Sequence, residues 1–432
     1  MRIAVIGTGY VGLVATAGFA EFGNEVSCVG SEAEVERLVG GELDLYEPGL
    51  EALMQTNVSA GRVRFTSELE AAVEGADVVV IAIEASVDSE GAAQLDELFA
   101  VADRISGALH GYTVIVNQST VPVGTTERLA VRIGARVDTP FTVVSNPAFL
   151  KEGDAVNDFM KPDRVLIGTD DSRAEEVLRR LYAPFVRTSD RILVVDQRSA
   201  ELSKYAVSAL LASRISFVNE LANLCEELGA DMEVVRRVMG ADSRIGSKYL
   251  FVGPGFGGSH FNNDITMLLH SARECGRELA VLRATHEANQ RQKQVLLGKL
   301  IRGLPKGVEG KTVAVWGLAF KPRTADIGKA PAIDLVDGLL EAGCKVRVHD
   351  PRAMDSARNH YGDRIEYADD MYAAADGADA LVLVTEWHQY RRPDFNKILS
   401  IMAGRLLVDG RNVWDPAELK ELGFRYLGVG RS

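Results

Sequence analysis

The chain has 432 residues, enough for two or three domains with separate cores, and its composition is that of an ordinary globular protein. Its formal net charge of −13 argues against nucleic acid or an anionic membrane as the main partner. No apolar run approaches the roughly 20 residues of a membrane span, and the four cysteines lack CxxC or CxxH spacing, which predicts neither a metal site nor a disulfide framework and favours a cytoplasmic setting.

The first element is a short strand followed by a glycine turn and an alanine-rich helix. Residues 2–6 have a β-type pattern, Gly7-Thr8-Gly9-Tyr10-Val11-Gly12 follows, and a helical pattern continues through Phe22. A GxGxxG motif in this order is a strong dinucleotide-binding signal, because its glycines allow a tight turn and the close approach of a pyrophosphate to a helix N-terminus. The residues expected to bind the cofactor are Gly7, Gly9, Tyr10, Val11 and Gly12. The alternative is a glycine turn without a ligand.

Two positions near this turn depart from what dinucleotide binding requires. The second strand, residues 25–29, should end in an acidic residue for the adenosine ribose, but Gly30 follows it. Glu32 could replace that acid only if the loop bends back, and Glu32 and Glu34 would repel the 2′-phosphate of NADP. The strand at 77–83 is followed by Glu84, which faces the cofactor region unless it is a solvated loop charge. Gly30 and Glu84 together predict weakened cofactor binding.

Two further strands and a long helix follow. Residues 112–116 and 141–147 are apolar β-type runs, and the alternation of strands with helices predicts a doubly wound parallel sheet. Residues 200–228 contain no proline and repeat apolar side chains at three- and four-residue spacing around most of the circumference. Such a helix suits a connector between domains and a dimer surface. Lys204 and Ser208 share a face of it, and Lys204 either reaches a phosphate or a reacting oxygen or is a surface lysine.

A glycine-rich stretch, residues 253–258, precedes a polar cluster that ends at Asp264. Glycines let the backbone pass where no side chain fits, and an apolar helical pattern begins at Ile265. The pattern predicts a tight loop that delivers His260, Asn263 and Asp264 to a helix N-terminus, a place suited to anionic ligands. The alternative is a glycine turn in which Asn263 or Asp264 caps the helix.

A second α/β segment begins at Lys311, and its β-type runs lie at 312–316, 345–351, 380–384 and 406–409. The boundary at 302–311 is rich in glycine and lysine, as linkers often are. We therefore predict two Rossmann-like doubly wound parallel-sheet domains joined by a long central helix and a helical core. The expected bounds are 1–198 for the dinucleotide-binding domain, 199–302 for the central helical domain and 311–432 for the C-terminal domain.

Motifs along nearly the whole chain resemble those of the UDP-glucose 6-dehydrogenase family, within the wider UDP-glucose/GDP-mannose dehydrogenases. They are GTGYVG at 7–12, YEPGL at 46–50, STVPVGT at 119–125, SNPAFLKEG at 145–153, ELSKYA at 201–206, SRIGSKYLFVGPGFGGS at 243–259, GLAFKP at 317–322, TEW at 385–387 and DGRN at 409–412. The resemblance implies an N-terminal NAD domain, a helical core that forms a homodimer, and a C-terminal domain that binds a UDP-sugar.

The chemistry that the resemblance implies is two successive hydride transfers from C6 of the sugar to two NAD molecules. A loop cysteine captures the aldehyde, its oxidation gives a thioester, and water assisted by a glutamate and an aspartate releases the acid. The matching catalytic positions are Thr120, Glu152, Lys204, His260 and Asp264, and the matching substrate positions are Lys204, Ser208, Arg244, Tyr249, Gly257 and Lys321. For Arg244 and Tyr249 the alternative is a structural loop contact.

This sequence departs from the family pattern at several of these positions. His260 stands at the cysteine, and a histidine cannot form the thioester, although it could act as a general base on an alcohol. The other departures are Asn262 and Asn263 for a proline and a lysine, Ser208 for a helix asparagine, Ala148 for a glutamate, and Gly328 for an arginine near the sugar phosphates.

The sequence therefore predicts a protein that keeps the fold and binds a nucleotide or nucleotide sugar, but lacks the four-electron, cysteine-dependent oxidation of UDP-glucose to UDP-glucuronate. The alternative is an active NAD(P)-dependent oxidoreductase of altered chemistry on a related nucleotide or sugar alcohol, with His260 as the general base. An engineered dehydrogenase is a third reading, and the sequence leaves open whether the protein is an enzyme.

Overall fold

The computed structural model describes residues 1–187, 190–304 and 307–431. They divide into two compact units, Met1–Val207 with Thr266–Glu278, and Ser208–Ile265 with Leu279–Ser432. Each unit contains one Rossmann-like sheet, and a long helix runs from the first unit into the second, which confirms the predicted fold class. The predicted linker at 302–311 includes residues 305 and 306, which lie outside the described residues.

The strands and helices of the N-terminal sheet alternate along the chain. They are β1 (Arg2–Ile6), α1 (Tyr10–Glu21), β2 (Glu25–Val29), α2 (Glu32–Val39), α3 (Leu50–Ser59), β3 (Val63–Thr66), α4 (Leu69–Val73), β4 (Val78–Ile81), α5 (Asp96–Gly107), β5 (Thr113–Asn117), α6 (Thr125–Gly134), β6 (Phe141–Ser145), α7 (Ala155–Met160), β7 (Val165–Gly168), α8 (Ser172–Tyr182), a 3-10 turn (Ala183–Phe185) and β8 (Ile192–Val195).

Helices follow, and then the C-terminal sheet. The helices are α9 (Gln197–Leu228), α10 (Met232–Ala241), α11 (Ser259–Glu274), α12 (Ala280–Lys293) and α13 (Val295–Gly303). The last part contains β9 (Thr312–Trp316), α14 (Pro331–Glu341), β10 (Lys345–His349), α15 (Met354–Tyr361), a 3-10 turn (Gly362–Arg364), β11 (Glu366–Tyr367), α16 (Met371–Ala375), β12 (Ala380–Leu383), a 3-10 turn (His388–Tyr390), α17 (Phe395–Ile401), β13 (Leu406–Asp409), α18 (Pro416–Glu421) and β14 (Arg425–Gly428).

The sheet of the first unit has eight strands among the described residues, in the order β3-β2-β1-β4-β5-β6-β7-β8. Neighbouring strands are parallel apart from β6 and β7, which pair antiparallel at Ser145 and Gly168. Strand β1 lies between β2 and β4, so the winding of the sheet reverses there. The carboxyl end of β1 is thus a switch point of the kind at which open α/β sheets bind ligands, and Gly7–Gly12 occupies it.

The sheet of the second unit has six parallel strands within the described part of the chain, in the order β11-β10-β9-β12-β13-β14. Its core includes Trp316, which is fully buried and stacks on Tyr390 with 5.0 Å between ring centroids. The turn after β9 is held by buried Asp350, whose carboxylate accepts hydrogen bonds from the backbone N–H groups of Leu318 at 2.7 Å and Ala319 at 3.1 Å. This turn is the second switch point, because β9 lies between β10 and β12.

Helix α9 spans 32 residues and begins slightly before its predicted start. Near its beginning, the buried carboxylate of Glu201 accepts hydrogen bonds from the Gly124 N–H at 2.5 Å and from the Thr126 N–H at 2.8 Å, at the N-terminus of α6. Burial raises the pKa of Glu201, and the hydrogen bonds oppose that rise. None of the helices in the described ranges, α9 included, has the length and hydropathy of a membrane span.

Candidate functional site

The glycine turn after β1 is shaped partly by packing and partly by open space. A Cβ atom at Gly7, where φ is +120°, would overlap the carbonyl oxygen of Ala82, and one at Gly12 would overlap the carbonyl oxygen of Gly7. A Cβ at Gly9 meets none of the described heavy atoms within 4 Å, and no described side chain caps α1 there. The turn therefore leaves room for a pyrophosphate in front of the helix N-terminus, which fits a dinucleotide.

Glu47 supports this turn, and sequence reasoning did not single it out. The buried Glu47 carboxylate accepts hydrogen bonds from the Tyr10 hydroxyl at 3.0 Å, the Gly153 N–H at 2.6 Å and the Ala155 N–H at 2.8 Å. Burial and the Glu47 charge raise the pKa of the Tyr10 hydroxyl. Glu47 thereby joins α1 to the turn that carries Glu152. The only signal in the sequence was its position in the YEPGL motif.

The loop after β2 does bend back toward the glycine turn, but Glu34 rather than Glu32 reaches it. The Thr8 hydroxyl donates to Glu34 Oε1 at 2.7 Å, and the Ser31 hydroxyl donates to Glu34 Oε2 at 2.6 Å. A Cβ atom at Gly30 would lie 2.5 Å from Thr8 Cγ2. The end of β2 thus carries a carboxylate four residues later than the usual position.

An acidic cleft lies at the carboxyl ends of β4 and β5. It has a volume of about 230 Å³ and is lined by Ile83, Glu84, Ala85, Ser86, Gln94, Asp96, Glu97, Leu98, Ser119 and Val121. The Ser119 hydroxyl accepts a hydrogen bond from the Ile83 N–H at 3.0 Å, which fixes the two strand ends together. Thr120 follows directly and is half-buried, while Glu84 is exposed.

Lys204 and the segment after β6 come together in the first unit. The Lys204 Nζ donates to the carbonyl oxygen of Ala148 at 2.9 Å and lies 5.7 Å from the centroid of the Phe149 ring. Glu152 lies in the same segment and is half-buried. Lys204 is therefore not a solvated surface lysine: its ammonium group contacts the segment in which the resemblance places a catalytic glutamate.

The glycine stretch 253–258, in the second unit, is held by amide side chains of two helices. Asn219 accepts a hydrogen bond from the Gly253 N–H at 2.9 Å, and Gln292 donates to the Gly253 carbonyl at 2.8 Å. Asn289 accepts from the Phe256 N–H at 2.8 Å and donates to the Phe256 carbonyl at 3.0 Å. All three amides are buried, so the course of the stretch is set by α9 and α12.

Helix α11 begins at Ser259, which corrects the prediction that it begins near Ile265 with Asn263 or Asp264 as a possible cap. His260, Asn263 and Asp264 lie in its first two turns rather than on a loop. The helix start could not be recognised in the sequence because its polar side chains have hydrogen-bond partners on other elements, such as Ser208 of α9 for Asp264. Asp264 is buried and accepts a hydrogen bond from the Ser208 hydroxyl at 2.6 Å. Ser208 and Asp264 are thus brought together, while His260 is half-buried one turn before Asp264.

The stretch also packs on the loop that follows β9. A Cβ at Gly257 would lie 2.8 Å from Ala330 Cα and 2.9 Å from Phe320 Cβ, so protein atoms fill the space beside this glycine. The Gly258 N–H donates to the Gly328 carbonyl at 2.8 Å, and a Cβ at Gly328 would lie 2.8 Å from Asp326 Oδ1. An arginine at Gly328 would therefore require the Asp326 side chain to shift. Lys321, in the same loop, is half-buried.

Arg244 and Tyr249 lie on the segment between α10 and the glycine stretch. Arg244 is exposed and donates from Nε and Nη2 to Asp242 at 3.0 Å and 2.6 Å, which lowers the pKa of that carboxyl. Tyr249 is half-buried with a φ of +60°, a conformation that is unfavourable for a bulky residue. Arg244 thus has the structural loop contact that was its alternative, and a substrate role for both residues stays a prediction.

Three consecutive segments of the chain match one protein family. Residues 1–186 match the NAD binding domain of the UDP-glucose/GDP-mannose dehydrogenase family, residues 198–291 match its central domain, and residues 314–416 match its UDP binding domain. The family predicted from the motifs is thereby confirmed, and so are NAD as the cofactor and nucleotide-sugar binding. That Gly30 and Glu84 weaken cofactor binding stays a prediction.

Full-length relatives and a solved structure agree with these matches. The chain is 48% identical over 445 residues to the UDP-glucose 6-dehydrogenase of Pseudomonas aeruginosa, covering 100% of this chain and 98% of the relative. It is 42% identical over 438 residues to the enzyme of that name from Rhizobium meliloti, covering 100% of both. The structure of a UDP-glucose dehydrogenase from Pyrobaculum islandicum superposes with a TM-score of 0.92 at 36% identity and covers 100% of this chain and 98% of that one.

These relatives overturn the prediction of a binding protein that lacks the usual oxidation. Full-length relatives that are 39 to 48% identical carry the name UDP-glucose 6-dehydrogenase, which supports an active dehydrogenase. The prediction was wrong because it gave the substituted site positions, His260 above all, more weight than the match along the whole chain. A missing thiol at position 260 removes the thioester, but oxidation of an alcohol requires only a base and a hydride acceptor.

Proposed function

Because the chain belongs to the UDP-glucose/GDP-mannose dehydrogenase family, we propose that it oxidises UDP-glucose at C6 to UDP-glucuronate with NAD. The observation that carries the proposal is the glycine turn at the switch point of the first sheet, with open space beside Gly9 and packed glycines on either side. When bound there, NAD supplies the hydride acceptor. Tyr10 and Val11 present the first N–H groups of α1.

His260 replaces the thiol, and we propose that it acts as the general base. It takes the proton of the C6 hydroxyl as the alcohol loses a hydride and becomes the aldehyde. Water then adds to the aldehyde to give a gem-diol, and His260 takes a proton from one of its hydroxyls as the diol loses the second hydride and becomes the acid. Atoms and electrons balance without a covalent enzyme intermediate, with one water consumed and two hydrides released.

The remaining site residues have roles that follow from their chemistry. Lys204 stabilises negative charge that develops on the C6 oxygen. Glu152 and Asp264 relay one proton from the water that adds to the aldehyde oxygen, which completes the gem-diol, and the hydroxyl of Thr120 orients that water. Ser208 positions the Asp264 carboxylate through the 2.6 Å hydrogen bond between them.

The substrate residues divide by charge. Lys321 and Arg244 bind the diphosphate of the UDP-sugar, since both carry a permanent positive charge at neutral pH. Tyr249 packs against a ring of the substrate. The backbone of Gly257 contacts the substrate, while protein atoms fill the space on the side where a Cβ would lie. Lys321 lies in the segment that matches the UDP binding domain of the family. The bounds 1–198, 199–302 and 311–432 remain our proposed division into cofactor, dimerisation and UDP-sugar domains.

Incubation of the purified protein with UDP-glucose and NAD⁺ tests the proposal directly. The expected products are UDP-glucuronate, identified by mass spectrometry, and NADH at two molecules per molecule of acid. NADH at one molecule per sugar, with the aldehyde accumulating, would contradict the second oxidation. Absence of NADH with an intact, folded protein would contradict the proposed function as a whole.

We also propose that the protein is a cytoplasmic homodimer that pairs through α9. Leu210, Phe217 and Leu224 recur at seven-residue spacing on this helix and are 65%, 55% and 51% exposed. An exposed apolar stripe of this kind is typical of a helix-pairing surface. Light scattering should give the mass of a dimer, and Phe217→Glu should give a monomer. Val131→Glu, at a 74% exposed position on α6, is the matched control and should stay dimeric.

A further inference from the structure

We infer that Glu34 replaces the acidic residue missing at Gly30, binds the 2′-hydroxyl of the adenosine ribose of NAD, and selects NAD over NADP. The inference concerns the choice of cofactor. It rests on dinucleotide binding at the glycine turn and not on the identity of the sugar substrate.

The Glu34 side chain reaches back from α2 to the glycine turn. Its residue lies in the first turn of α2, yet its Oε1 accepts a hydrogen bond at 2.7 Å from the hydroxyl of Thr8, the second residue of the glycine turn. In dinucleotide-binding sheets, the ribose hydroxyls meet an acid beside this turn, at the end of the second strand. The Glu34 carboxylate therefore occupies the place where that acid is needed, although it comes from the next helix.

Hydrogen bonds from Ser31 hold the Glu34 carboxylate in place. The Ser31 N–H and hydroxyl donate to Glu34 Oε2 at 2.8 Å and 2.6 Å, and Ser31 and Glu34 together form a capping box. These hydrogen bonds, and that from Thr8, hold the pKa of Glu34 below its usual range, so the group is ionised at neutral pH. Each carboxylate oxygen can accept two hydrogen bonds, and within the described ranges Oε1 receives one. The half-buried Glu34 thus has acceptor capacity for a ribose hydroxyl.

At position 30, the usual place of the ribose acid, a side chain would meet Thr8 and Glu34. A Cβ atom at Gly30 would lie 2.5 Å from Thr8 Cγ2 and 3.3 Å from Glu34 Oε2. A side chain at position 30 would therefore require the Thr8 or Glu34 side chain to shift. An acid at position 30 and the Glu34 carboxylate compete for the same space beside Thr8, so a glycine at position 30 is compatible with Glu34 as the ribose acid.

The consequence is selectivity. An ionised carboxylate accepts a hydrogen bond from the 2′-hydroxyl of NAD and repels the 2′-phosphate of NADP. Loss of Glu34 should weaken NAD binding and remove the penalty on NADP. Gly30 then lowers cofactor affinity less than the sequence predicted.

The test measures binding to the full chain by titration calorimetry, without sugar, for NAD⁺, 2′-deoxy-NAD⁺ and NADP⁺. The unmodified protein should bind NAD⁺ about tenfold more tightly than 2′-deoxy-NAD⁺, since a hydrogen bond to a charged group is lost. In Glu34→Ala this preference should vanish, and in Glu34→Gln the affinity for NADP⁺ should rise. Glu36→Ala, at an exposed position of the same helix, should keep the preferences of the unmodified protein.

If Glu34 only caps α2, Glu34→Ala should lower the unfolding temperature but leave the ratio of the affinities for NAD⁺ and 2′-deoxy-NAD⁺ unchanged. Three results would overturn the inference: equal binding of NAD⁺ and 2′-deoxy-NAD⁺ by the unmodified protein, a retained preference in Glu34→Ala, or no dinucleotide binding at all. Because no sugar is present, a failure of the proposed oxidation would leave these measurements unaffected.

Discussion

The two glycine-rich segments of the chain use the same residue for opposite purposes. Beside Gly9, in the first unit, a Cβ atom would meet open space. In the stretch 253–258, by contrast, a Cβ at Gly253, Gly255 or Gly257 would lie within 3 Å of Arg411, Asn289 or Ala330. In the first segment, Gly9 leaves space that a ligand can enter, between the packed Gly7 and Gly12, whereas in the second segment the glycines let the protein close around the backbone. A glycine motif is thus informative only when its surroundings are known.

The largest effect is expected just beyond the second stretch, at His260. Loss of the proposed general base in His260→Ala should lower kcat with UDP-glucose by at least about 100-fold. Thermal unfolding checks that the variant is folded. His270→Ala, on the same helix, is the matched control and should keep the rate of the unmodified protein. A kcat of His260→Ala equal to that of the unmodified protein would contradict the proposal that His260 is the general base.

Gly257→Ala should disrupt the packing of the second glycine segment. The added methyl group meets the backbone of Lys329 and Ala330 at 2.8 Å, and backbone cannot move aside as a flexible side chain can. We expect a loss of about 1–3 kcal/mol in the free energy of unfolding, measured with urea. A stability equal to that of the unmodified protein would contradict the assignment of Gly257 to packing.

Gly9→Ala should instead weaken NAD⁺ binding at the first glycine segment. The residue has a φ of −72°, which alanine adopts readily, so the unfolding free energy should change by less than about 0.5 kcal/mol. NAD⁺ affinity should fall about tenfold, because the methyl group enters the space proposed for the pyrophosphate. The reverse pattern, lost stability with unchanged affinity, would remove the distinction between the two segments.

The smallest effect concerns the charge beside the first segment. Because Ser31 and Thr8 lower the pKa of Glu34, its contribution to stability is present above the usual glutamate pKa of about 4.3 and is lost as pH falls through the lowered value. At neutral pH, Glu34→Gln should be less stable than the unmodified protein by under about 1 kcal/mol, since solvent screens the group. The difference should shrink as the pH falls below the usual glutamate pKa of about 4.3. A gap that widens on acidification would contradict the lowered pKa.

The central strands of the two sheets could be predicted closely because they are buried on both faces, whereas β3, β7, β8, β11 and β14 were not predicted. Residues 2–6 and 312–316 were predicted to the residue, since an unbroken apolar run ending in a glycine turn indicates a central parallel strand. The antiparallel pairing of β6 with β7 could not be predicted from the sequence, because a buried strand has the same composition whichever direction it runs.

The candidate site was less predictable because its residues depend on distant partners. The start of α11 was missed since Asp264 pairs with Ser208, 56 residues away, and isolated polar residues resemble a loop. Glu34 was recognised as a charge but not as a contact of Thr8, because that contact depends on the path of a loop. The wrong functional prediction arose from His260 together with the other departures from the family pattern, which were given more weight than a scaffold that matches throughout.

The hydrogen bonds from α12 to the glycine stretch mean that the shape of the stretch is not encoded in the stretch. Asn289 and Gln292 supply a template to which the backbone at Gly253 and Phe256 conforms. A protein engineer who grafts residues 253–258 onto another scaffold would therefore obtain a flexible segment unless this polar helix face is grafted with it. Conversely, α12 is the place to alter when the aim is to reshape the stretch while keeping its sequence.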